Sequence, residues 1–470
     1  MKTLIHIYIC LTFIFCAFAA EAKNPKYIFL FIGDGMSIPQ RMATDEYLRA
    51  KNLPTLEINK MPYSAVTTTR SANSLITDSA ASGTAIACGQ KVNNSALGVA
   101  PDGTILKSSA AVAKENGMKV GIITSVTLNH ATPAAFYAHV QKRIQLYQIG
   151  LDLINSGFDF FGGGAISKHD DKTAPEFKGD ILDLAKEKGY KVAKDRASIE
   201  SLKKSDGKVI ALANTKDALP YAIDDPQSMR ISEILSKAIE MLDNENGFFI
   251  MTEGGKIDWM CHANDAATII KETIDLDKAV KVAVEFARKH PDETLIVITG
   301  DHETGGLTIG FANTGYKLYL GLLENQKCSR SAFDGKLKNA FKKNPNATLD
   351  DLKPLITENF GLLFDESQKD NPLYVNGEEL KAMRDSMDRE KIKQQKSKNA
   401  KAKFKYEKVA NPLAAAVVRC LDNKAGLGWT SHAHTALPVY TTATGVGAER
   451  FHGTIDNTDI AKILKELIAK

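Results

Sequence analysis

The segment TDSAASGTA, Thr77 to Ala85, sets a carboxylate, Asp78, directly before a hydroxyl, Ser79, and follows them with small residues. A serine with a charged neighbour suits a nucleophile, and a run of small residues equally suits close helix packing, so the stretch needs partners elsewhere. Asp258 and His262 stand four residues apart. On a helical turn that spacing puts a carboxylate and an imidazole on one face, as two metal ligands or as a surface pair. Asp301-His302 poses a different problem, because neighbouring side chains on a strand point to opposite faces. Both reach one ion only where the backbone turns, and Gly300 before them and Gly305-Gly306 after them permit a turn. Late in the chain, SHAHT (Ser431 to Thr435) adds His432 and His434.

Four short apolar runs rich in β-branched or aromatic residues read as buried parallel strands: Tyr27 to Ile32, Lys119 to Ser125, Gly247 to Thr252 and Leu295 to Thr299. Helical patterns separate them, at Ser109 to Glu115 and across Ala266 to His290. The alternation predicts an α/β fold with a doubly wound, mostly parallel central sheet between helices. Each strand runs into polar residues: Asp34 after the first, His130 and Thr132 after the second, Glu253, Asp258 and His262 after the third, Asp301 and His302 after the fourth. Open α/β sheets bind ligands beyond the carboxyl ends of their strands, where the loops converge. Past Leu307 the rhythm weakens, and the stretch 307–430 reads as an inserted cap. Alternation returns at LPVYTTATG (Leu437 to Gly445), followed by a last helix from Asp459 to Ala469.

At 470 residues, with 44% hydrophobic and 25% charged residues, the chain has the composition of a large globular protein. A net charge of +4 demands no nucleic-acid partner, and the basic run Lys391 to Lys405 reads as a solvated helix face or loop. Residues 1–22 carry an early Lys, an apolar run and small residues at Ala17 and Ala19 or Ala20 and Ala22. These are the marks of a cleaved export signal, which places the remaining chain, 23–470, in the periplasm or outside the cell, with no transmembrane segment after the signal. Cys88, Cys261, Cys328 and Cys420 lie outside the signal, with no CxxC pair and no visible disulfide framework.

Taken together, FIGDGM, TDSAASGTA, HATPAAFYAHVQKR, EGGKID, TGDHETGG, His434-Thr435 and GAERFHGTIDNTDIAK closely resemble the alkaline phosphatases, over nearly the whole chain after the signal and least over 307–430. The resemblance implies that Ser79 is the nucleophile and passes through a phosphoserine, with Arg143 gripping two phosphoryl oxygens. It implies two zinc ions, one held by Asp258, His262 and His434, the other by Asp34, Asp301 and His302 beside Ser79. It further implies one magnesium on Asp34, Thr132 and Glu253, phosphate monoesters as substrates, and a homodimer.

The chemistry of the donors agrees. Zinc takes nitrogen and carboxylate ligands, magnesium takes oxygen alone, and a nearby dication makes serine a competent nucleophile. A planar guanidinium fork matches phosphate better than an ammonium does. Three dications bring six positive charges against the four carboxylates Asp34, Glu253, Asp258 and Asp301. A phosphate dianion cancels the remainder. In this scheme Asp78 fixes Arg143 by a salt bridge, and Ser79 opens a helix whose free N–H groups favour an anion.

Two competing readings are weaker. A sulfatase needs a CxPxR-like context that Cys88-Gly89-Gln90-Lys91 lacks, and a diesterase of the superfamily lacks the third site to which Thr132 and Glu253 belong. A non-catalytic phosphate- or metal-binding protein has no use for Ser79 beside Arg143. The chain also departs from part of the family: His130 and Trp259 stand where some members have Asp and Lys, and Thr304 where some have a histidine. Because Trp259 supplies no cation, product phosphate is expected to be held more weakly than beside a lysine, and Trp259→Lys is expected to lower the inhibition constant for phosphate. Wild-type inhibition that is already tight, and that the substitution fails to strengthen, contradicts this.

Overall fold

The structure, a computed structural model, describes residues 24–399 and 412–469. The export-signal reading of 1–22 lies outside the described residues. The basic run is helical as far as Asn399, and its remainder lies outside them as well.

Ten strands form the central sheet: β1 (Tyr27–Gly33), β2 (Tyr63–Thr68), β3 (Lys119–Thr124), β4 (Phe160–Gly163), β5 (Tyr190–Ala193), β6 (Lys208–Leu212), β7 (Phe248–Gly254), β8 (Thr294–Gly300), β9 (Val439–Gly445) and β10 (Gly453–Asp456). Their spatial order is β10-β2-β9-β8-β1-β7-β3-β4-β6-β5. Only β9 runs against its neighbours, pairing antiparallel with β2 and β8. The four strands legible in the sequence, β8, β1, β7 and β3, are the contiguous centre. Helices cover both of their faces, so β1, β7 and β8 are buried along their whole length. The lateral strands are shorter or half-exposed, as in β2, and carry no comparable apolar run.

Register decides where the chemistry lands. Gly33 of β1 pairs with Gly254 of β7 and Gly300 of β8, so three strand ends finish level. Thr124 of β3 pairs with Glu253 one row below. Asp34, Glu253 and Asp301 therefore emerge side by side. Helix Ser79–Cys88 packs over this edge, and all ten of its residues are buried. A Cβ on Gly83 would sit 3.2 Å from Ala135 Cβ and 3.4 Å from Thr132 Cα, which explains the small residue at this crossing.

Between 307 and 430, helices Arg330–Lys343, Leu349–Phe360 and Pro412–Ala425 gather Phe333, Leu337, Ile356, Phe360, Leu413 and Leu421 into a cluster of their own. Tyr47 and Ile270 join that cluster from the helices Ile38–Ala50 and Ala266–Lys289, seating this region on the main body. The four cysteines are buried and free. No helix among the described residues is long and apolar enough to cross a membrane.

Gly300 ends β8 directly before Asp301, and a Cβ there would lie 2.0 Å from the Met36 carbonyl oxygen. Backbone has to move to admit it. Gly300→Ala is expected to cost about 1–3 kcal/mol of stability, read as a lowered thermal midpoint, together with a loss of activity as Asp301 shifts. An unchanged midpoint with full activity contradicts this account.

Candidate active site

Asp258 and His262 lie on one face of the short helix Lys256–Ala263 that follows β7, with Oδ2 of Asp258 3.4 Å from Nε2 of His262. His434 approaches from a two-residue ribbon paired with Glu303-Thr304. Its Nε2 is 3.2 Å from Nε2 of His262 and 3.6 Å from Oδ1 of Asp258. At the end of β8 the backbone bends after Gly300, and Asp301 and His302 turn into the same space: Nε2 of His302 lies 3.2 Å from Asp301 Oδ2 and 3.5 Å from Asp34 Oδ1. The hydroxyl of Ser79 is 3.2 Å from that same nitrogen. An ion with four ligands at about 2.0–2.1 Å in tetrahedral array has ligand–ligand edges of about 3.4 Å. These nitrogen–oxygen and nitrogen–nitrogen spacings are those edges.

Three groups of residues could hold a metal: Asp258, His262 and His434; Asp34, Asp258 and His302; Asp34, His130 and Glu253. Asp34 belongs to two of them and Asp258 to two, so they merge into one cluster. Thr132 donates to Asp34 Oδ2 at 3.2 Å from the turn Ala131–Ala134, beside the third group. The fit to cations is supported by buried carboxylate oxygens that have no hydrogen-bond partner among the described residues: Asp34 Oδ1, Glu253 Oε1 and Asp301 Oδ2. Other oxygens of the same groups are firmly held. Asp301 Oδ1 accepts from Gly35 N at 3.0 Å, and Glu253 Oε2 accepts from Thr124 Oγ1.

Burial, and then the charges of Asp301, Asp258 and Glu253, drives Asp34 well above the usual carboxylate range. Burial likewise pushes Glu253 up to about 7 and Asp301 up to about 8. Asp258 goes the other way: burial would raise it, but the hydrogen bond from His262 and the neighbouring imidazoles hold it far below.

Ser79 is the first residue of its helix, and Asp78 is the cap, its Oδ1 accepting from Ala81 N at 3.0 Å. The other oxygen of Asp78 lies 3.3 Å from Nη1 of Arg143. Both oxygens accept from Ser95 N, at 3.1 and 3.0 Å, and the Ser95 carbonyl accepts from Arg143 N at 2.8 Å. Arg143 Nη2 donates to Nε2 of His130 at 3.3 Å. Burial and the Arg143 charge bring His130 down to about 3, which keeps its ring neutral. Its ring meets that of Trp259 edge-on, with centroids 5.9 Å apart.

Several supporting contacts carried no signal in the sequence. Thr304 donates to Asp258 Oδ1 at 2.6 Å and lies 3.2 Å from Nδ1 of His302, tying two halves of the cluster together. Ser82 donates to the Asp301 carbonyl at 2.6 Å and accepts from Asn457 Nδ2 at 2.9 Å. Glu303, fully buried, accepts from Gln40 and from Gly306 N, at 2.9 and 3.1 Å, and so braces the bend after β8. His432 stays outside the three groups, its Nδ1 bonded to the His262 carbonyl at 3.0 Å, and His139 faces the Leu106 carbonyl at 3.0 Å.

A hydroxyl at a helix N-terminus, an anchored guanidinium and a merged carboxylate–imidazole cluster at the carboxyl edge of an α/β sheet are the parts that a metal-dependent hydrolase of phosphate esters uses. The family follows from the whole chain: the family model described as alkaline phosphatase matches residues 25–469, and the chain belongs to the alkaline phosphatase family. It is 31% identical to alkaline phosphatase 4 of Bacillus subtilis, over 96% of this chain and 89% of that protein. It is 28% identical to the repressible alkaline phosphatase of Saccharomyces cerevisiae, over 96% of this chain and 83% of that one. Among solved structures, the cold-active alkaline phosphatase of a psychrophilic Shewanella superposes with a TM-score of 0.77 at 29% identity, covering 94% of this chain and all of that one.

The raised carboxyls carry a consequence for the metal-free protein. Unfolded, these acids ionise near pH 4; folded, Glu253 and Asp301 hold their protons to about 7 and 8. The folded state then binds more protons than the unfolded one between those limits, so stability falls as pH rises through them. Because His130 and His302, held neutral in the folded state, oppose this trend up to about pH 7, chelated protein is expected to show a thermal midpoint that drops between about pH 7 and 9 and is restored by added metal. A chelated midpoint that stays flat or rises across this window contradicts it.

Proposed function

We propose that this chain is an exported phosphatase that hydrolyses phosphate monoesters through a phosphoserine on Ser79, at a site holding two zinc ions and one magnesium. The leader 1–22 directs it to the periplasm or outside the cell, the 307–430 stretch is an inserted cap, and the working form is a homodimer. The observation that carries the reading is the placement of the Ser79 hydroxyl. It stands at a helix N-terminus, 3.2 Å from Nε2 of His302, while the Asp78 that caps the helix also holds Arg143.

In this reading Asp258, His262 and His434 hold one zinc, and Asp34, Asp301 and His302 the other. Asp34, Thr132 and Glu253 hold the magnesium, with His130 beside it. Edge lengths near 3.4 Å and nitrogen donors support zinc in the first two sites, and the all-oxygen set supports magnesium in the third. A variant of the Antarctic TAB5 alkaline phosphatase with a histidine replaced by aspartate is described with magnesium bound. When bound, the ions neutralise the carboxylates, lower the pKa of the nucleophile and stabilise the charge of the phosphoryl oxygens.

The remaining work belongs to the chain. Arg143, aimed by Asp78, grips two phosphoryl oxygens, and the N–H groups at the start of helix Ser79–Cys88 face the anion. Ser79 Oγ loses its proton and bonds to phosphorus as the ester oxygen departs on the opposite side and takes up a proton. Water then enters from the side the alcohol left and gives up a proton as it bonds to phosphorus, while Ser79 Oγ leaves phosphorus and takes a proton back, releasing inorganic phosphate.

Aryl monoester and bis-aryl diester hydrolysis, measured on the metal-loaded protein, separate this reading from a diesterase. Monoester turnover is expected to dominate, to be lost on chelation and to return only with zinc and magnesium together. Ser79→Ala is expected to lower kcat on the order of a thousandfold or more while phosphate still binds, and Asp78→Ala to weaken phosphate binding by misaiming Arg143. Turnover that survives chelation or Ser79→Ala overturns the proposal.

A further inference from the structure

Behind His262 and His434 lies space that the phosphoryl chemistry does not use. Helix Pro412–Ala425 and the segment around His432 border a cavity of about 470 Å³, whose wall includes Trp429 and Phe311. A second cavity, of about 280 Å³, opens toward Glu379, and Arg419, Asn423 and His432 line both. His432 forms the partition with the cluster. Its carbonyl accepts from His262 Nδ1 at 2.6 Å, and its own Nδ1 bonds the His262 carbonyl at 3.0 Å. One residue therefore separates the cavities from a candidate metal ligand.

The charge there is one-sided. Arg419 is exposed and, among the described residues, has no ion-pair partner. The neighbouring acids make their close contacts elsewhere: Glu379 with Lys424 at 2.9 Å, and Asp422, which also feels the Arg419 charge, with Trp429 Nε1 at 2.8 Å. Arg419 and Arg330 both act electrostatically on His432. The direction of departure points the same way. In-line displacement sends the leaving oxygen away from Ser79, which stands beside His302, and so toward Asp258, His262 and His434. The alcohol portion of the ester then leaves on the side of His262, which is bonded to His432, a residue on which Arg419 acts electrostatically.

We propose that Arg419, with Asn423 and His432, forms a subsite for a second anionic group on the alcohol portion of the substrate. The preferred substrates are then phosphate monoesters that carry a carboxylate or a further phosphate. This rests on the phosphomonoesterase reading above and narrows its substrate class.

Paired substrates test it on the metal-loaded enzyme: 3-phosphoglycerate against glycerol 3-phosphate for a carboxylate, and propane-1,3-diyl bisphosphate against propyl phosphate for a phosphate. The wild type is expected to favour, in kcat/KM, the member that carries the second anionic group in at least one pair. Arg419→Gln is expected to shrink that preference at least about fivefold, with Arg419→Lys keeping part of it. A ratio that Arg419→Gln leaves unmoved overturns the subsite while the phosphatase reading stands. If no ester is hydrolysed, the phosphatase reading fails instead. Calorimetric binding of the same pairs to Ser79→Ala protein, with and without Arg419→Gln, then decides the subsite, and equal affinities within each pair overturn it.

Discussion

Buried negative charge at the strand ends is the constraint that the rest of the molecule answers. Asp34, Glu253 and Asp301 have no exposed surface, and Asp258 is buried beside them. Carboxylates this close, removed from water, repel one another unless positive charge is brought among them. The protein brings little: Arg143 stands at the edge of the group, and burial lowers His302 far below its ordinary pKa, so that the ring is neutral. Instead of neutralising the acids, the fold bonds one oxygen of each and leaves the other oxygen of Asp34, Glu253 and Asp301 without a hydrogen-bond partner among the described residues. A sheet whose central strands finish level makes such crowding possible, and cations make it tolerable. That division of labour is what a metalloenzyme of this family requires.

The helix that begins at Ser79 answers the same constraint from above. Its small residues are contact surface: Ser82 reaches the Asp301 carbonyl, and Gly83 lies against the Thr132 turn. Larger side chains would lift the helix and withdraw Ser79 from His302. Asp78 then joins three jobs in one carboxylate, capping the helix, fixing the backbone at Ser95 and aiming Arg143. A capping residue is ordinarily interchangeable with serine or asparagine. Here the charge matters, because a neutral cap would leave the guanidinium without its anchor.

The central strands β1, β3, β7 and β8 were legible in the sequence because burial on both faces leaves an unbroken apolar run. The lateral strands β2, β4, β5, β6 and β10 were not, being four to six residues long, with half-exposed faces in β2 and β5. Asp258 with His262, and Asp301 with His302, could be paired by spacing alone, since a helical turn and a strand end impose those geometries on any sequence. Thr304, Ser82, Asn457 and Glu303 could not. Each is an ordinary polar residue whose importance comes from what stands opposite it, as Asn457 does 375 positions away from Ser82.

By itself, then, the sequence determined the kind of sheet, the types of donor at its carboxyl edge and the serine among small residues, because each is a local pattern of period, polarity or size. Tertiary structure decided the rest: that three carboxylates emerge level, that His434 closes on His262 from 172 residues away, and that Arg143 shares its carboxylate with the helix cap. Those outcomes depend on strand register and helix packing. Both arise from the summed burial of the whole core and from no single stretch of chain.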